Sequence, residues 1–134
     1  MNPDFLYDTA RLGEVLCSDS CEVSQAELTC FRTLLGYPSD GEADLAPTSM
    51  GLTYGLRLGW KHQVFPPGVV RMGDDDLFGV PARAGDTLST SFRIVEKFEK
   101  KSRRFLRYEM RTDNQRNEMV CTISFLAMVP QEST

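Results

Sequence analysis

The sequence predicts an α+β fold in which one antiparallel β-sheet wraps around a central helix of about residues 48–63. The helix is marked by Gly51, Gly55 and Gly59, which recur every four residues in an otherwise helical pattern. A glycine inside a helix costs about 1 kcal/mol relative to alanine, so we expect this stripe to let another backbone approach closely. After a proline- and glycine-rich break, the second half of the chain alternates apolar and polar residues, as strands do.

A first helix is predicted over residues 24–35. Ser24 is a good N-cap, and Glu27 follows at the capping-box spacing. Gly36 suits the residue after the helix. Pro47 suits the first turn of the central helix, and the prolines and glycine of residues 65–68 end it.

The strands are predicted from residue 69 onward. A short strand at residues 69–72 is followed by a turn at the acidic triplet 74–76, and longer strands cover residues 87–98, 106–112 and 119–129. The last of these is apolar on both faces, which is typical of a strand inside a sheet or at an interface.

One domain is expected to span all 134 residues, with residues 1–20 as an N-terminal arm and residues 131–134 as a frayed tail. The hydrophobic content of 41% and the charged content of 25% are ordinary for a globular protein. The sequence has no apolar run of the roughly 18 residues that a membrane span needs. The N-terminus also lacks the basic and apolar regions of a secretory signal.

The cysteine and histidine content argues against a metal site. The chain has four cysteines, no Cys-x-x-Cys pair and one histidine, so the ligand spacing of a zinc site is absent. We expect free thiols in a reducing cytosol, and therefore a cytoplasmic protein with no metal and no cofactor.

Charge is unevenly distributed along the chain. Residues 83–116 hold ten of the fifteen basic residues and five acidic ones, whereas the whole chain has a net charge of −4. Such a stretch indicates either a site for a polyanion or the solvated outer faces of strands. The stretch carries no stacked aromatic motif, which argues against nucleic acid as the partner.

Three short motifs occur in a characteristic order. They are Leu-Ala-Pro-Thr at residues 45–48, Pro-Ala-Arg-Ala-Gly-Asp-Thr-Leu at residues 81–88, and Thr-Asp-Asn-Gln at residues 112–115, followed by Asn117 and Val120. In this order they resemble the MaoC-like (R)-specific enoyl-CoA hydratases and 3-hydroxyacyl-thioester dehydratases, which have the hot-dog fold. The usual glycine of the last hairpin is replaced by Asn117, which tolerates a left-handed conformation better than most residues.

The resemblance also implies a catalytic pair that this chain lacks. Active members carry an aspartate and, five residues later, a histidine in the segment between the two helices, and the pair activates a water molecule. Here that segment contains Asp40, Glu42 and Asp44, but residue 45 is leucine and no histidine is present. The single histidine, His62, falls at the far end of the central helix, where we expect a surface or helix-end role.

The resemblance therefore implies a non-catalytic MaoC-like subunit. Such a chain would pair through its sheet with a catalytic hot-dog hydratase or dehydratase and help to bind an acyl-CoA or acyl-carrier-protein thioester. Whether the dimer is hetero- or homomeric stays open. One alternative is a self-sufficient homodimeric hydratase or thioesterase, with Asp44 as the only candidate base. The other alternative is a non-enzymatic binding module that uses the basic stretch.

A few residues are candidates for substrate binding. Pro47, Thr48 and Ser49 stand at the helix N-terminus, where backbone N–H groups can polarise a thioester carbonyl; capping by Thr48 or Ser49 is the structural alternative. Tyr54 would either line an acyl channel or fill the core. Arg83 would either meet a CoA phosphate or lie in a solvated turn. The glycine stripe is assigned to packing.

Overall fold

A computed structural model describes residues 7–38 and 43–130 of the chain. Over these residues the chain forms five strands and two helices of more than one turn: β1 (Val15–Glu22), α1 (Gln25–Leu34), α2 (Thr48–Lys61), β2 (Val70–Phe78), β3 (Thr87–Lys100), β4 (Arg103–Asp113) and β5 (Met119–Val129). The strands form one antiparallel sheet in the order β1-β3-β4-β5-β2. The predicted fold, a sheet around a central helix, is confirmed.

The glycine stripe of α2 faces the sheet. A methyl group added at Gly51 would stand 3.0 Å from Cγ1 of Val120, and one at Gly55 would stand 2.7 Å from Sδ of Met110. Both distances are shorter than ordinary van der Waals contact, so the helix lies closer to β4 and β5 than side chains would permit. Close approach is therefore the reason for the stripe, although the groups that approach the helix are side chains of the sheet and not another backbone.

The core divides along the length of α2. One cluster lies beneath its C-terminal half and contains the fully buried Phe92, Tyr108 and Ile123. The other surrounds its N-terminal half and joins Leu28 of α1 to Leu88 of β3. Burial of a large apolar side chain contributes about 1.5–3 kcal/mol, so these two clusters hold the helix in the concave side of the sheet.

Several predicted turns and caps are confirmed. The Oγ of Ser24 accepts a hydrogen bond from the backbone N–H of Glu27 at 3.3 Å, which caps α1. Gly36 has a φ of 74° and follows the end of α1. Asn117 has a φ of 60°, the left-handed conformation expected where the family uses glycine.

The predicted N-terminal arm over residues 1–20 is wrong from residue 15 onward. Strand β1 begins at Val15 and pairs with β3, with Ser20 opposite Ser89. The strand was missed because its exposed edge position allows polar residues such as Ser18 and Asp19 among the cysteines. Residues 1–6 and the predicted tail at 131–134 lie outside the described residues.

The predicted turn at the acidic triplet is also wrong. Asp74, Asp75 and Asp76 lie inside β2, opposite Phe125, Ser124 and Ile123 of β5. Strand β2 is an edge strand whose residues are all exposed, so carboxylates keep their hydration there and the strand is not interrupted. The strand continues beyond the triplet and also includes Leu77 and Phe78.

Candidate functional site

A cavity of about 170 Å³ opens at the N-terminus of α2. Pro47, Thr48 and Gly51 form one wall, and Phe78 and Val120 belong to the opposite wall. The short segment after β2 shapes this wall, because the backbone N–H of residue 79 donates to the carbonyl oxygen of Val120 at 2.9 Å. None of the residues that line the cavity carries a titratable side chain.

The start of α2 is not capped by a side chain. Pro47 occupies the N-cap position with a φ of −56° and a ψ of 147°, and the first turn contains no acidic residue. The alternative that Thr48 or Ser49 caps the helix is therefore wrong. Because helix N-termini carry unsatisfied N–H groups and a partial positive charge, the cavity wall at Thr48 suits a carbonyl oxygen.

Ser49 and Tyr54 lie away from this cavity. Ser49 is exposed and lines neither this cavity nor the one beside Tyr54. Tyr54 is buried and lines a smaller cavity of about 110 Å³ between the two helices. Its hydroxyl donates to Oε2 of Glu27 at 2.6 Å, and Arg57 lies over its ring at 4.9 Å.

The electrostatics of this contact fit an anchoring role for Tyr54. Burial, followed by the contact with Glu27, raises the pKa of Tyr54 to about 12. The hydrogen bond from Tyr54 is also the main reason why the pKa of the Glu27 carboxyl lies below its ordinary value. The tyrosine hydroxyl is thus protonated at neutral pH and joins α2 to α1. Of the two roles considered for Tyr54, its position agrees with filling the core.

Asp44 and Arg83 form an ion pair outside the cavity. Nη1 of Arg83 donates to Oδ2 of Asp44 at 3.1 Å, and the backbones of Leu45 and Arg83 form an isolated antiparallel bridge. Asp44 is exposed and Arg83 is half-buried. Neither lines the cavity at Thr48. The other two carboxylates of the segment, Asp40 and Glu42, lie outside the described residues.

The single histidine is held at the opposite end of α2. His62 is the C-cap residue, and its Nε2 lies 2.7 Å from Oδ2 of Asp19 on β1. Lys61 donates to the same oxygen at 2.8 Å, and the Ser20 backbone N–H donates to Oδ1. Hydrogen bonds from Lys61 and His62 lower the pKa of the Asp19 carboxyl. Asp19 was not recognised as a partner of His62 from the sequence, because the strand that carries it, β1, was not predicted.

This aspartate–histidine pair is not placed to act on a ligand in the cavity. From Thr48 to His62 the helix advances about 20 Å. A carboxylate that already accepts three hydrogen bonds is a weak general base, because the bonds stabilise its ionised form. The pair instead ties the end of the helix to edge strand β1, in agreement with the helix-end role expected for His62.

A larger, apolar cavity of about 360 Å³ lies towards the C-terminal end of α2. Leu56 and Trp60 of the helix, Phe65 after it and Phe125 of β5 are among the residues that line it. Trp60 is 66% exposed, although it is the largest apolar side chain of the helix. This cavity was not predicted from the sequence, in which the tandem prolines at residues 66 and 67, part of the cavity wall, are the only indication of it.

Several basic residues of the stretch 83–116 are paired with neighbouring groups. Arg107 donates to Glu96 at 2.9 Å, and Arg116 donates to Glu118 at 2.6 Å. The ammonium group of Lys97 donates to two backbone carbonyls of the N-terminal segment. These contacts favour the second interpretation of the stretch, the solvated outer faces of strands.

Comparison with known proteins identifies the architecture. The chain matches a MaoC-like dehydratase from Rhodospirillum rubrum with a TM-score of 0.82 and 20% identity, over 95% of this chain and 97% of that one. It matches the R-hydratase PhaJ1 from Pseudomonas aeruginosa with a TM-score of 0.73 and 19% identity, over 94% and 86%. The chain has the hot-dog fold. Sequence identities of about 20% establish a common fold and no more. The resemblance predicted from the sequence is therefore confirmed for the fold.

A third match is to a protein complex. The C-terminally truncated HadBC (3R-hydroxyacyl-ACP dehydratase) complex from Mycobacterium tuberculosis aligns with a TM-score of 0.66 and 17% identity, over 82% of this chain and 90% of the matched one. No protein-family model and no curated protein sequence matches this hot-dog chain. Within residues 7–38 and 43–130, neither helix is long and apolar enough to cross a membrane.

Proposed function

We propose that this hot-dog chain is a non-catalytic, cytoplasmic subunit that pairs with a catalytic hot-dog hydratase or dehydratase and helps to bind an acyl-CoA or acyl-carrier-protein thioester. One observation carries the proposal. The only imidazole of the chain lies about 20 Å along α2 from the helix N-terminus and is bound to Asp19. The cavity at that N-terminus is lined without any acid or base.

This chain can contribute in two ways: it can polarise the thioester carbonyl, and it can shape the cavity in which the thioester binds. Proton transfer to or from a thioester-conjugated double bond needs a positioned acid or base, and the cavity walls supply neither. The uncapped start of α2, where Thr48 lines the cavity, offers a backbone N–H group and the positive end of the helix dipole to a thioester carbonyl. The chain therefore contributes to binding, and the proton-transfer groups come from a partner.

The comparisons support a partner of the same fold. HadBC is a complex, and a further structure that matches this chain is also a complex, ChsH1–ChsH2 from Mycobacterium tuberculosis. Both align with this chain at a TM-score of 0.66. Free thiols at Cys17, Cys21, Cys30 and Cys121 fit the proposed cytoplasmic location.

Binding of a thioester at the α2 N-terminus is tested by filling the cavity. We expect Thr48→Phe to abolish binding of crotonyl-CoA in a calorimetric titration of the chain together with its partner. The matched control is Thr53→Phe, which fills the neighbouring cavity beside Tyr54 from the same helix. Equal loss in both variants, or no loss in Thr48→Phe, would argue against the N-terminal cavity, provided that near-ultraviolet circular dichroism shows both variants folded.

The thioesterase alternative keeps one candidate base, Asp44. Its carboxylate accepts a hydrogen bond from Arg83 and lies outside the cavity lining. Arg83 in turn is the candidate contact for a CoA phosphate, and we propose that the Asp44–Arg83 pair opens only if such a phosphate binds. If Arg83 binds a phosphate of CoA, the variant Arg83→Ala should bind CoA more weakly than the wild-type chain. Its affinity for acyl-pantetheine should be unchanged.

A further inference from the structure

The hairpin between β3 and β4 carries exposed cations at its tip. Residues 100–104 contain four basic residues and no acidic one, although the whole chain has a net charge of −4. Three of them, which form the cationic tip, are exposed: Lys100, Lys101 and Arg103. Further along the same strands, Lys97 is bound to backbone carbonyls and Arg107 to Glu96. The tip therefore presents positive charge to its surroundings.

The turn at the cationic tip would suit other residues better. Lys101 and Ser102 form a two-residue loop in which φ is 51° and 59°. Hairpin loops with two positive φ angles prefer Asn-Gly or Asp-Gly, because the left-handed conformation crowds a larger side chain. Lys101 thus stands at a strained position, and strain of this kind clusters at functional positions.

An apolar row crosses the outer face of the sheet next to the cationic tip. It consists of cross-strand neighbours on β3, β4, β5 and β2, namely Phe98, Phe105, Met128 and Val70. The rings of Phe98 and Phe105 stack with their centroids 5.0 Å apart, and Val70 is 47% exposed. Side chains alternate between the two faces of a sheet, and the adjacent residues Leu106 and Ala127 are fully buried on the α2 side. The apolar row therefore faces away from the helix.

Further from the tip, the outer face is polar. Arg93 lies opposite Glu109, and Ser91 lies opposite Arg111. This is the pattern of an antiparallel sheet whose second face meets water. The apolar row breaks the pattern at the end of the sheet that also carries the cationic tip, so apolar side chains and cations lie together there.

We propose that this end of the molecule binds the surface of an anionic lipid bilayer. A lipid interface offers anionic headgroups beside acyl chains, which match cations flanking an apolar row. Nucleic acid fits less well, because bases stack on open aromatic faces, whereas Phe98 and Phe105 stack on each other. Each cation near such a surface strengthens binding by only about fivefold, so the binding is peripheral and reversible. The inference goes beyond the proposed function and does not depend on it.

Cosedimentation with lipid vesicles tests the proposal. Vesicles of phosphatidylcholine are compared with vesicles of an equimolar mixture of phosphatidylcholine and phosphatidylglycerol, at about 50 mM and about 500 mM NaCl. The test variant, Lys100→Gln/Lys101→Asn/Arg103→Gln, removes the three charges of the tip. Asparagine at residue 101 suits the left-handed turn, so this variant should fold.

The matched control removes three other exposed cations. In Arg11→Gln/Arg93→Gln/Arg111→Gln the net charge changes by the same amount, but the cationic tip remains. A second test variant, Phe98→Ser, interrupts the apolar row and leaves every charge in place. If near-ultraviolet circular dichroism shows that Phe98→Ser does not fold, Val70→Ser at the exposed end of the row replaces it.

We expect the wild-type chain to bind the phosphatidylglycerol vesicles at low salt, and to bind them much more weakly at high salt. The tip variant should lower the binding constant about a hundredfold, Phe98→Ser about tenfold, and the control less than either. Absence of wild-type binding would overturn the inference, and so would equal losses in the two triple variants.

Two soluble polyanions distinguish a lipid surface from other partners. Polyglutamate and a single-stranded DNA oligonucleotide are added as competitors of the vesicles, and we expect neither to displace the chain. Binding of either polymer as tightly as the vesicles, with no loss in Phe98→Ser, would overturn the inference, because the tip would then recognise any polyanion. No readout involves a thioester, so failure here is distinct from failure of the proposed function.

Discussion

Gln115 donates a hydrogen bond from Nε2 to Oδ1 of the buried Asp86 at 2.8 Å, while its Oε1 accepts the backbone N–H of Thr87 at 3.0 Å. The two side chains belong to two of the motifs that carry the family resemblance, residues 81–88 and 112–115. Their contact fastens the turn before β3 to the hairpin between β4 and β5. The motifs therefore occur together because they form one structural joint.

Loss of the Asp86 carboxylate should destabilise the fold. Its Oδ2 also accepts the backbone N–H of Arg83 at 2.9 Å, so Asp86→Ala removes a buried acceptor that holds both groups in place. We expect the free energy of unfolding to fall by about 2 kcal/mol or more, measured by urea denaturation. The control Asp113→Ala removes a partly exposed carboxylate paired with Arg111 and should cost about 1 kcal/mol or less. If both variants lost the same free energy of unfolding, the contact between Asp86 and Gln115 would not be the structural joint proposed here.

The glycine stripe should differ in tolerance from one position to the next. An added methyl group at Gly59 would stand 2.7 Å from ring atoms of Phe65 and Phe92, whereas at Gly55 it would meet the flexible end of Met110 at 2.7 Å. We expect Gly59→Ala to cost about 1–3 kcal/mol by overpacking and Gly55→Ala to cost less, because Met110 can move.

The control for the stripe is Gly73→Ala on β2, where an added methyl group meets nothing within 4 Å. Thermal unfolding of the three variants gives the order of stabilities. If Gly59→Ala were as stable as Gly73→Ala, α2 would have to lie further from the sheet than the structure places it.

The contact between Asp19 and the end of α2 should depend on pH. Hydrogen bonds from Lys61, His62 and the Ser20 backbone lower the pKa of the Asp19 carboxyl. A carboxyl whose folded pKa is depressed stabilises the fold above its unfolded pKa of about 3.9, and this contribution is lost as the pH falls through the lowered value. Asp19→Asn should therefore be less stable than the wild-type chain at pH 7, and the difference should shrink at acid pH.

Urea midpoints from neutral to acid pH measure that difference, with Glu22→Gln on the same strand as control. A difference that stayed constant, or grew as the pH fell, would exclude the ionised Asp19 as the stabilising group. Crotonyl-CoA binding should be unchanged in Asp19→Asn, because the pair lies at the end of the helix remote from Thr48.

Much of this fold can be predicted from residue patterns that reflect burial. The strand predicted at residues 119–129 matches β5, because a strand between two neighbours is apolar over its whole length. The stripe of Gly51, Gly55 and Gly59 predicts α2 and its contact with the sheet. The two edge strands are harder to predict, because β1 has no fully buried residue and β2 is exposed throughout, so composition alone makes Asp74–Asp76 resemble a turn.

The sequence predicts which catalytic groups the candidate site lacks, but it predicts little of the geometry of the site. A single histidine outside the segment of residues 35–45 already excludes the catalytic pair of the active hydratases. The sequence did not indicate that Pro47 and Thr48 line a cavity while Ser49 does not, nor that Tyr54 bonds to Glu27. These facts depend on how α1 and the segment after β2 pack against the helix, which are contacts between distant parts of the chain.

Thioester hydrolysis offers a check on the remaining base. Since Asp44 is paired with Arg83 and lies outside the cavity, we expect the wild-type chain to release no thiol from crotonyl-CoA above the buffer rate in a thiol-reactive dye assay. Asp44→Ala should behave identically. A thiol release that the wild-type chain supports and Asp44→Ala abolishes would assign the chain to the thioesterases.

Hydration of crotonyl-CoA by the purified chain alone decides whether this chain needs a catalytic partner. The loss of the enoyl-thioester absorbance is followed with the chain alone, and then with a catalytic hot-dog partner added. We expect no hydration above the buffer rate from the chain alone, and binding of the thioester once the partner is present. Hydration by the lone chain that is lost in His62→Ala would contradict this expectation, because the single imidazole would then be catalytic.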